Sequence, residues 1–152
     1  MTSNVIRGLL TLAVTVAFAG ILDAKGPTVK LTVTGPALSQ PLDITDSRVL
    51  MSSQVFAGAF LSGGSSAPDA SLPRYRVSFH VELPKWMNAG VQVKYVVLYV
   101  KDSRTGRGFV YLPGRGEDGY WLNVGTIMRD GQDGRWHSAG SEWASALNAH
   151  LP

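Results

Sequence analysis

The sequence of 152 residues contains no cysteine, few charged residues and no long apolar run beyond the one near its amino terminus. The lack of cysteine excludes disulfide bonds, thiolate metal sites and cysteine catalysis. Charged residues make up 16% and hydrophobic residues 45% of the chain, a composition unlike that of disordered polypeptides. The net charge of +3 comes without a dense run of Lys and Arg, so we expect no nucleic-acid partner.

The first 24 residues have the order of a secretory signal peptide: a positive charge, an apolar stretch and then small residues. Arg7 is followed by an uncharged stretch over residues 8–22, which Asp23 ends. Because a spanning helix needs about 20 apolar residues, this stretch is short for a membrane anchor, which is the alternative. We expect cleavage after Ala19 or Ala24 and an extracytoplasmic protein, secreted or periplasmic, without a membrane span once the signal is removed.

Residues 25–152 are predicted to form a single globular domain. A chain of this length can bury a core without cross-links, since disulfides or metals become necessary only below about 40 residues. Segment 62–73 is rich in Ser, Gly and Pro, so we expect it to be a flexible surface loop within that domain.

The pattern of apolar residues predicts several strands. Strict alternation predicts strands over 28–34 and 75–83. Segment 91–100 becomes apolar on both faces in its second half, which predicts a central strand covered on both sides. Shorter strands, separated by glycine turns, are predicted at 109–112, 120–128 and 135–137.

Two short helices are predicted beside these strands. Asp46 is placed to cap a helix over residues 48–51, because its side-chain oxygen can accept from the first free N–H groups. Ser141 is placed in the same way before a helix at the carboxyl end of the chain. We therefore predict an α+β fold: a mainly antiparallel sheet of five to six strands with one or two short helices packed on one face. A small β-sandwich or barrel is the alternative.

The helix at the carboxyl end carries an apolar stripe that includes Trp143 and Leu147. A stripe of this kind must be buried, and the central strand has a second apolar face that needs a cover. We expect the two side chains to lie near Val96 and Leu98.

Two glycine-rich segments contain charged residues but are predicted to be turns. Residues 114–119 match G-x-G-x-x-G, yet the following residues are strand-like, and Glu117 and Asp118 would repel a phosphate. Residues 130–134 contain two acids, whereas calcium takes about 6–8 oxygen ligands. Asp-Gly pairs favour hairpin turns. We expect neither a cofactor nor a metal ion.

Aromatic and basic residues on loops are the predicted contacts for a ligand or partner. An exposed Trp can stack on a sugar or anchor a protein. The residues selected on this basis are Trp86, Arg115 and Tyr120. The other three tryptophans are expected in the core, because large aromatic side chains supply much of the buried area of a small domain. These are Trp121, Trp136 and Trp143.

Three short segments carry a resemblance to other proteins. They are residues 35–46 (GPALSQPLDITD), 108–114 (GFVYLPG) and 133–137 (DGRWH). Together they resemble a loose group of secreted bacterial proteins of unknown function. In that group a strand runs into a G-x-x-L-x-x-P-x-x-I-T-D stretch, and a D-G-[KR]-W strand precedes a short final helix. The resemblance implies export and a shared fold, and it implies no activity.

These features favour an exported, non-enzymatic binding or structural module of the bacterial cell envelope or exterior. Its expected partner is an envelope polymer or a protein. The alternative is a hydrolase with an atypical site, in which His137 and Glu142 form a minimal acid/base pair near the last turn. No G-x-S-x-G motif supplies a nucleophile for that chemistry.

Overall fold

The computed structural model describes residues 26–53, 60–124, 126–128 and 133–152. The predicted signal peptide at 1–24 and both of its cleavage sites lie outside these ranges. The described residues form seven strands: β1 Thr28–Thr34, β2 Leu42–Ile44, β3 Leu61–Gly64, β4 Arg74–Glu82, β5 Val91–Asp102, β6 Arg107–Leu112 and β7 Arg135–Ala139. They also form three α-helices and one 3₁₀ helix: α1 Ser47–Ser52, α2 Tyr120–Val124, α3 Ser141–Asn148 and the 3₁₀ helix Lys85–Met87.

The strands form one open sheet in the order β2-β1-β4-β5-β6-β7-β3. Every neighbouring pair is antiparallel. The predicted α+β fold class is therefore confirmed, with seven strands instead of five to six. The additional edge strand, β3, lies partly inside the segment predicted to be a flexible loop. It pairs with β7 through Leu61 opposite Ala139, since backbone N–H and C=O groups can pair without any side-chain pattern.

One face of the sheet, which we call the core face, carries the apolar core. Its strand residues include Leu31, Val77, Val97 and Val110, all of which are fully buried. Helices α1 and α3 lie on this face and contact each other. The predicted cap is confirmed, because the Asp46 carboxylate accepts from the backbone N–H of Arg48 at 2.8 Å. Helix α3 instead begins after Gly140, and Ser141 is its first residue and makes no side-chain cap.

Trp143 is at the centre of the core face. Its ring lies 5.5 Å from that of Phe60, 6.0 Å from that of Phe79 and 5.3 Å from that of Tyr99. The prediction that Trp143 is core is confirmed, but the expected contact with Val96 and Leu98 is wrong. Residues 95, 97 and 99 point to the core face, so the even-numbered residues of β5 point away from α3.

The opposite face, which we call the second face, is more polar and only partly covered. Register places Arg76, Leu98, Tyr111 and Trp136 side by side on it, one from each of four adjacent strands. Val96 is buried on this face although no long helix covers it. Gly119 lies over it, since an added Cβ there would be 3.2 Å from the Cβ of Val96.

The segment predicted as a strand at 120–128 is helical in its first part, so that prediction is wrong. Asn123 explains why the chain folds this way. Its side-chain amide accepts from the Val96 N–H at 2.8 Å and donates to the Val96 C=O at 2.6 Å. Strand β6 reaches β5 only as far as Leu98. The Asn123 amide therefore takes the place of a missing neighbouring strand. The Thr126 hydroxyl lies 3.2 Å from the Lys94 carbonyl of β5 and 3.1 Å from the Leu122 carbonyl of α2, and its single proton serves both acceptors.

Candidate functional site

The connection between β4 and β5 carries three exposed apolar side chains beside a cleft. Trp86 is 76% exposed, and Met87 and Val91 are 43% and 52% exposed. Beside them lies a cleft of about 350 Å³, lined by Gly26, Pro27 and residues 82–86. Trp86, predicted from sequence as a ligand contact, therefore forms part of the wall of a cavity.

Backbone geometry builds this cleft. The Leu83 N–H donates to the Gly90 carbonyl at 2.9 Å and closes the connection. Asn88 ends the 3₁₀ helix in the left-handed region with φ 48°. The Glu82 N–H donates to the Pro27 carbonyl at 3.0 Å, and a Cβ on Gly26 would lie only 1.4 Å from the Glu82 carbonyl oxygen. Only glycine fits at position 26, where the chain passes along the floor of the cleft.

Two opposite charges line the cleft together with Trp86. Glu82 and Lys85 are both exposed and both line the cleft. Within the described residues neither makes an ion pair with another side chain. The cleft therefore offers a flat aromatic face together with one carboxylate acceptor and one ammonium donor.

The other two predicted contacts, Arg115 and Tyr120, do not line this cleft. Arg115 is exposed in the loop after β6, as expected of a contact residue. Tyr120 is only 4% exposed, so its ring is not offered to a ligand, whereas the neighbouring Trp121 is 74% exposed. The prediction that Trp121 is core is therefore wrong. The two rings pack edge to face at 5.1 Å, because the first turn of α2 directs Tyr120 inward and Trp121 outward.

The glycine-rich segment at 114–119 does lead into a helix, contrary to expectation. Its own carboxylate occupies the position that an anion would take. Glu117 accepts from the Gly114 N–H at 2.6 Å and from the Tyr111 hydroxyl at 2.9 Å. The contact with Glu117, together with burial, raises the pKa of Tyr111, burial being the larger cause. The loop is closed by internal hydrogen bonds and has a structural role.

His137 does not meet Glu142 in the way the sequence suggested. Its Nε2 atom lies 3.1 Å from the Asp133 carboxylate, and both side chains are mostly buried. Glu142 is exposed in the first turn of α3. In the part of the chain that the structure describes, no hydrogen bond joins His137 to Glu142 or to a hydroxyl group. An acid/base site at this turn would therefore use Asp133 as the partner of His137.

The second face also carries a polar network that the sequence did not predict. The Thr32 hydroxyl donates to Asp43 Oδ1 at 2.6 Å and lies 2.9 Å from His80 Nε2. Lys30 donates to Asp43 Oδ2 at 2.9 Å. Because the single hydroxyl proton of Thr32 goes to the carboxylate, His80 donates its Nε2 proton to Thr32. Thr32 is therefore not activated as a nucleophile, and the network ties β1, β2 and β4 together.

Burial is the main reason that the pKa of His80 lies below its usual value of 6.5, and nearby Lys30 lowers it further. The pKa of Asp43 is also lowered, chiefly by the Thr32 hydroxyl and then by Lys30. Both shifts favour a neutral imidazole beside an ionised carboxylate. The alternating polar positions of β1 and β4 put Thr32 and His80 on one face, but the sequence did not reveal their register.

The described residues contain neither a metal-binding cluster nor a membrane-spanning helix. Within ranges 26–53, 60–124, 126–128 and 133–152, no three His, Asp or Glu side chains come together as a metal site. No helix in these ranges is both long and apolar enough to cross a membrane. Comparisons with protein-family models, with curated proteins and with solved structures each find no match for this chain.

Proposed function

We propose that the protein is an exported, non-enzymatic binding module of the bacterial cell envelope or exterior, and that the cleft beside Trp86 holds a sugar polymer of the envelope. The observation that carries this proposal is the position of a largely exposed Trp on the wall of a cleft. A Trp in a monomer is normally well buried, and its exposure beside a cavity is typical of a binding site.

The chemistry of the cleft fits a sugar. The apolar C–H face of a sugar ring stacks on a flat indole, while its hydroxyl groups need donors and acceptors at the edge. Lys85 supplies donors and Glu82 supplies acceptors. The volume of about 350 Å³ lies at the lower end of the range of about 300–1,000 Å³ for ligand sites. It suits one or two rings of a longer chain that runs across the surface.

The amino-terminal sequence supports export, because its order is that of a signal peptide. The resemblance to secreted bacterial proteins agrees with this assignment. A module in the envelope is surrounded by insoluble glycan at high local concentration. A weak site with one aromatic ring is therefore enough to keep the module bound to that glycan.

The test uses protein recovered from the native host. Mass spectrometry of its amino terminus should find Gly20 or Lys25, whereas intact Met1 in the cytoplasmic fraction would contradict export. The same protein should sediment with purified peptidoglycan sacculi. Trp86→Ala should weaken this binding about two- to tenfold, since a stacked ring is worth about 0.5–1.5 kcal/mol.

Trp121→Ala is the matched control, because Trp121 is 74% exposed against 76% for Trp86 and does not line the cleft. It should leave sedimentation unchanged. Equal losses in the two variants would indicate nonspecific adhesion through exposed tryptophan and would contradict the proposed site. Retention of full binding by Trp86→Ala would do the same.

A further inference from the structure

A second surface, distinct from the cleft, combines arginine and aromatic side chains on the second face of the sheet. We call it the basic aromatic surface. It draws on strands β4, β6 and β7 and consists of Arg74, Arg107, Phe109, Tyr111 and Trp136. The predicted core position of Trp136 is confirmed only in part, since its side chain is half-buried on this surface.

Strand register places these residues next to one another. Arg74 lies opposite Val100, and Val100 lies opposite Phe109 on the next strand. Tyr111 lies opposite Trp136, with their ring centroids 5.2 Å apart. Because neighbouring strands are about 4.8 Å apart, these side chains form one continuous patch.

Both guanidinium groups stack on aromatic rings. The Arg107 Cζ atom lies 5.3 Å from the centre of the Phe109 ring, and the Arg74 Cζ atom lies 5.6 Å from that of Trp136. Because β5 and β6 lie between β4 and β7, the Arg74–Trp136 contact joins side chains from the two sides of these intervening strands. Stacking fixes the plane of each guanidinium and leaves the N–H donors at its edges for another partner.

Among the described residues, no carboxylate forms an ion pair with either cation. In the described residues Arg74 and Arg107 make no ion pair, whereas Arg76 on the same face pairs with Asp118. The acids nearest to them along the chain, Asp69 and Asp102, accept hydrogen bonds from other side chains. Asp69 accepts from the Ser71 hydroxyl at 2.8 Å, and Asp102 accepts from the Thr105 hydroxyl at 2.8 Å. Among the described residues, the surface therefore presents two cations without an ion pair, Arg107 over the buried ring of Phe109 and Arg74 over the half-buried ring of Trp136.

We propose that the basic aromatic surface binds a carboxylate-bearing polysaccharide, with Arg74 and Arg107 taking its carboxylates and Trp136 and Tyr111 contacting its sugar rings. The planar fork of arginine matches a carboxylate with two parallel hydrogen bonds. The site is independent of the Trp86 cleft, which contains no arginine.

Single-stranded nucleic acid also uses aromatic stacking and positive charge, but it needs a basic groove that follows many phosphates. The basic aromatic surface has two unpaired cations in a protein of net charge +3. Two isolated cations suit a polymer whose charges are spaced by whole sugar units. The polysaccharide is therefore the occupant that the charge pattern favours.

The test measures binding of the purified full chain to sodium polygalacturonate by isothermal titration calorimetry. Uncharged dextran and a single-stranded oligonucleotide serve as competing probes. Arg74→Gln and Arg107→Gln should each weaken polygalacturonate binding about tenfold, the loss expected for one charge-assisted pair. Binding should fall steeply with added salt. Arg48→Gln is the control, because Arg48 is an exposed cation on α1, which lies on the core face.

Loss of binding in both surface variants, with Arg48→Gln unchanged, would support the proposal. An equal loss in Arg48→Gln would show that only net charge matters and would overturn it. Tighter binding of the oligonucleotide than of polygalacturonate, or equal binding of dextran, would also overturn it. Circular dichroism of each variant ensures that a loss of binding is not a loss of fold.

Discussion

The two faces of the sheet use similar residue types in different ways. On the core face, Trp143, Phe79 and Tyr99 pack on one another beneath α1 and α3 and are fully buried. On the second face, Trp136 and Tyr111 are half-buried and pack on each other, and Arg74 lies over the Trp136 ring. Aromatic residues thus stabilise the fold on one face and remain accessible on the other. Whether an aromatic residue lies beneath α1 and α3 decides which of these two roles it has.

The comparison predicts its largest effect at the core face. Trp143→Ala should lower the free energy of unfolding by about 3–5 kcal/mol, because it removes a fully buried ring from contact with three others. Trp121→Ala should change it by no more than about 0.5 kcal/mol, since that side chain is mostly exposed. Urea titration of both variants measures the difference. Equal stabilities would mean that α3 does not seal the core face.

A smaller loss is expected where the second face meets the edge of β5. Asn123→Leu removes the amide that pairs with Val96, leaving a buried N–H and C=O without partners. Each unsatisfied group of this kind costs about 1–3 kcal/mol. With two such groups we expect a decrease of at least about 2 kcal/mol in the free energy of unfolding, measured by the same titration.

Thr126→Val is the companion variant at that edge. It removes only the hydroxyl that the Lys94 and Leu122 carbonyls share, in a partly exposed position where water can replace it. Its loss should be clearly smaller than that of Asn123→Leu. If the two variants are equally stable, the Asn123 amide is not a substitute for a strand.

The sequence was a good guide to the core face and a poor one to the second face. Alternation in 28–34 and 75–83 located two strands correctly, because burial of one face imposes a period of two. The segment after Gly119 was misread, since Tyr-Trp-Leu-Asn-Val has strand propensity and only the tertiary bonds of Asn123 to Val96 favour a helical turn there.

The sequence likewise predicts some of the candidate binding residues and not others. A Trp in a turn between two strands identified Trp86 without any knowledge of the fold. Arg74, Arg107 and Trp136 are far apart in sequence, and only the strand order brings them together. Their pairing depends on long-range register, which a single sequence does not contain. Tyr120 and Trp121 were assigned opposite exposures from those observed, because a strand and a helix direct adjacent residues differently.

The smallest predicted effect concerns the polar network of the second face. His80 is neutral there, and burial and Lys30 hold its pKa below 6.5. The unfolded chain therefore binds a proton at His80 more readily than the folded protein does. The contribution of His80 to stability is present above about pH 6.5 and is lost as the pH falls below that value.

His80→Gln tests this point, because the glutamine amide can still donate to Thr32 but does not titrate. We expect the free energy of unfolding of the wild type to fall more than that of the variant between about pH 7.5 and about pH 5.5. His150→Gln, which alters a histidine paired with Asp46 at the rim of the core face, should not remove this difference. Equal slopes for wild type and His80→Gln would mean that the network is too hydrated to perturb the imidazole. In that case the second face would be open to water even between β1 and β4, and the contrast with the core face would be sharper than the structure indicates.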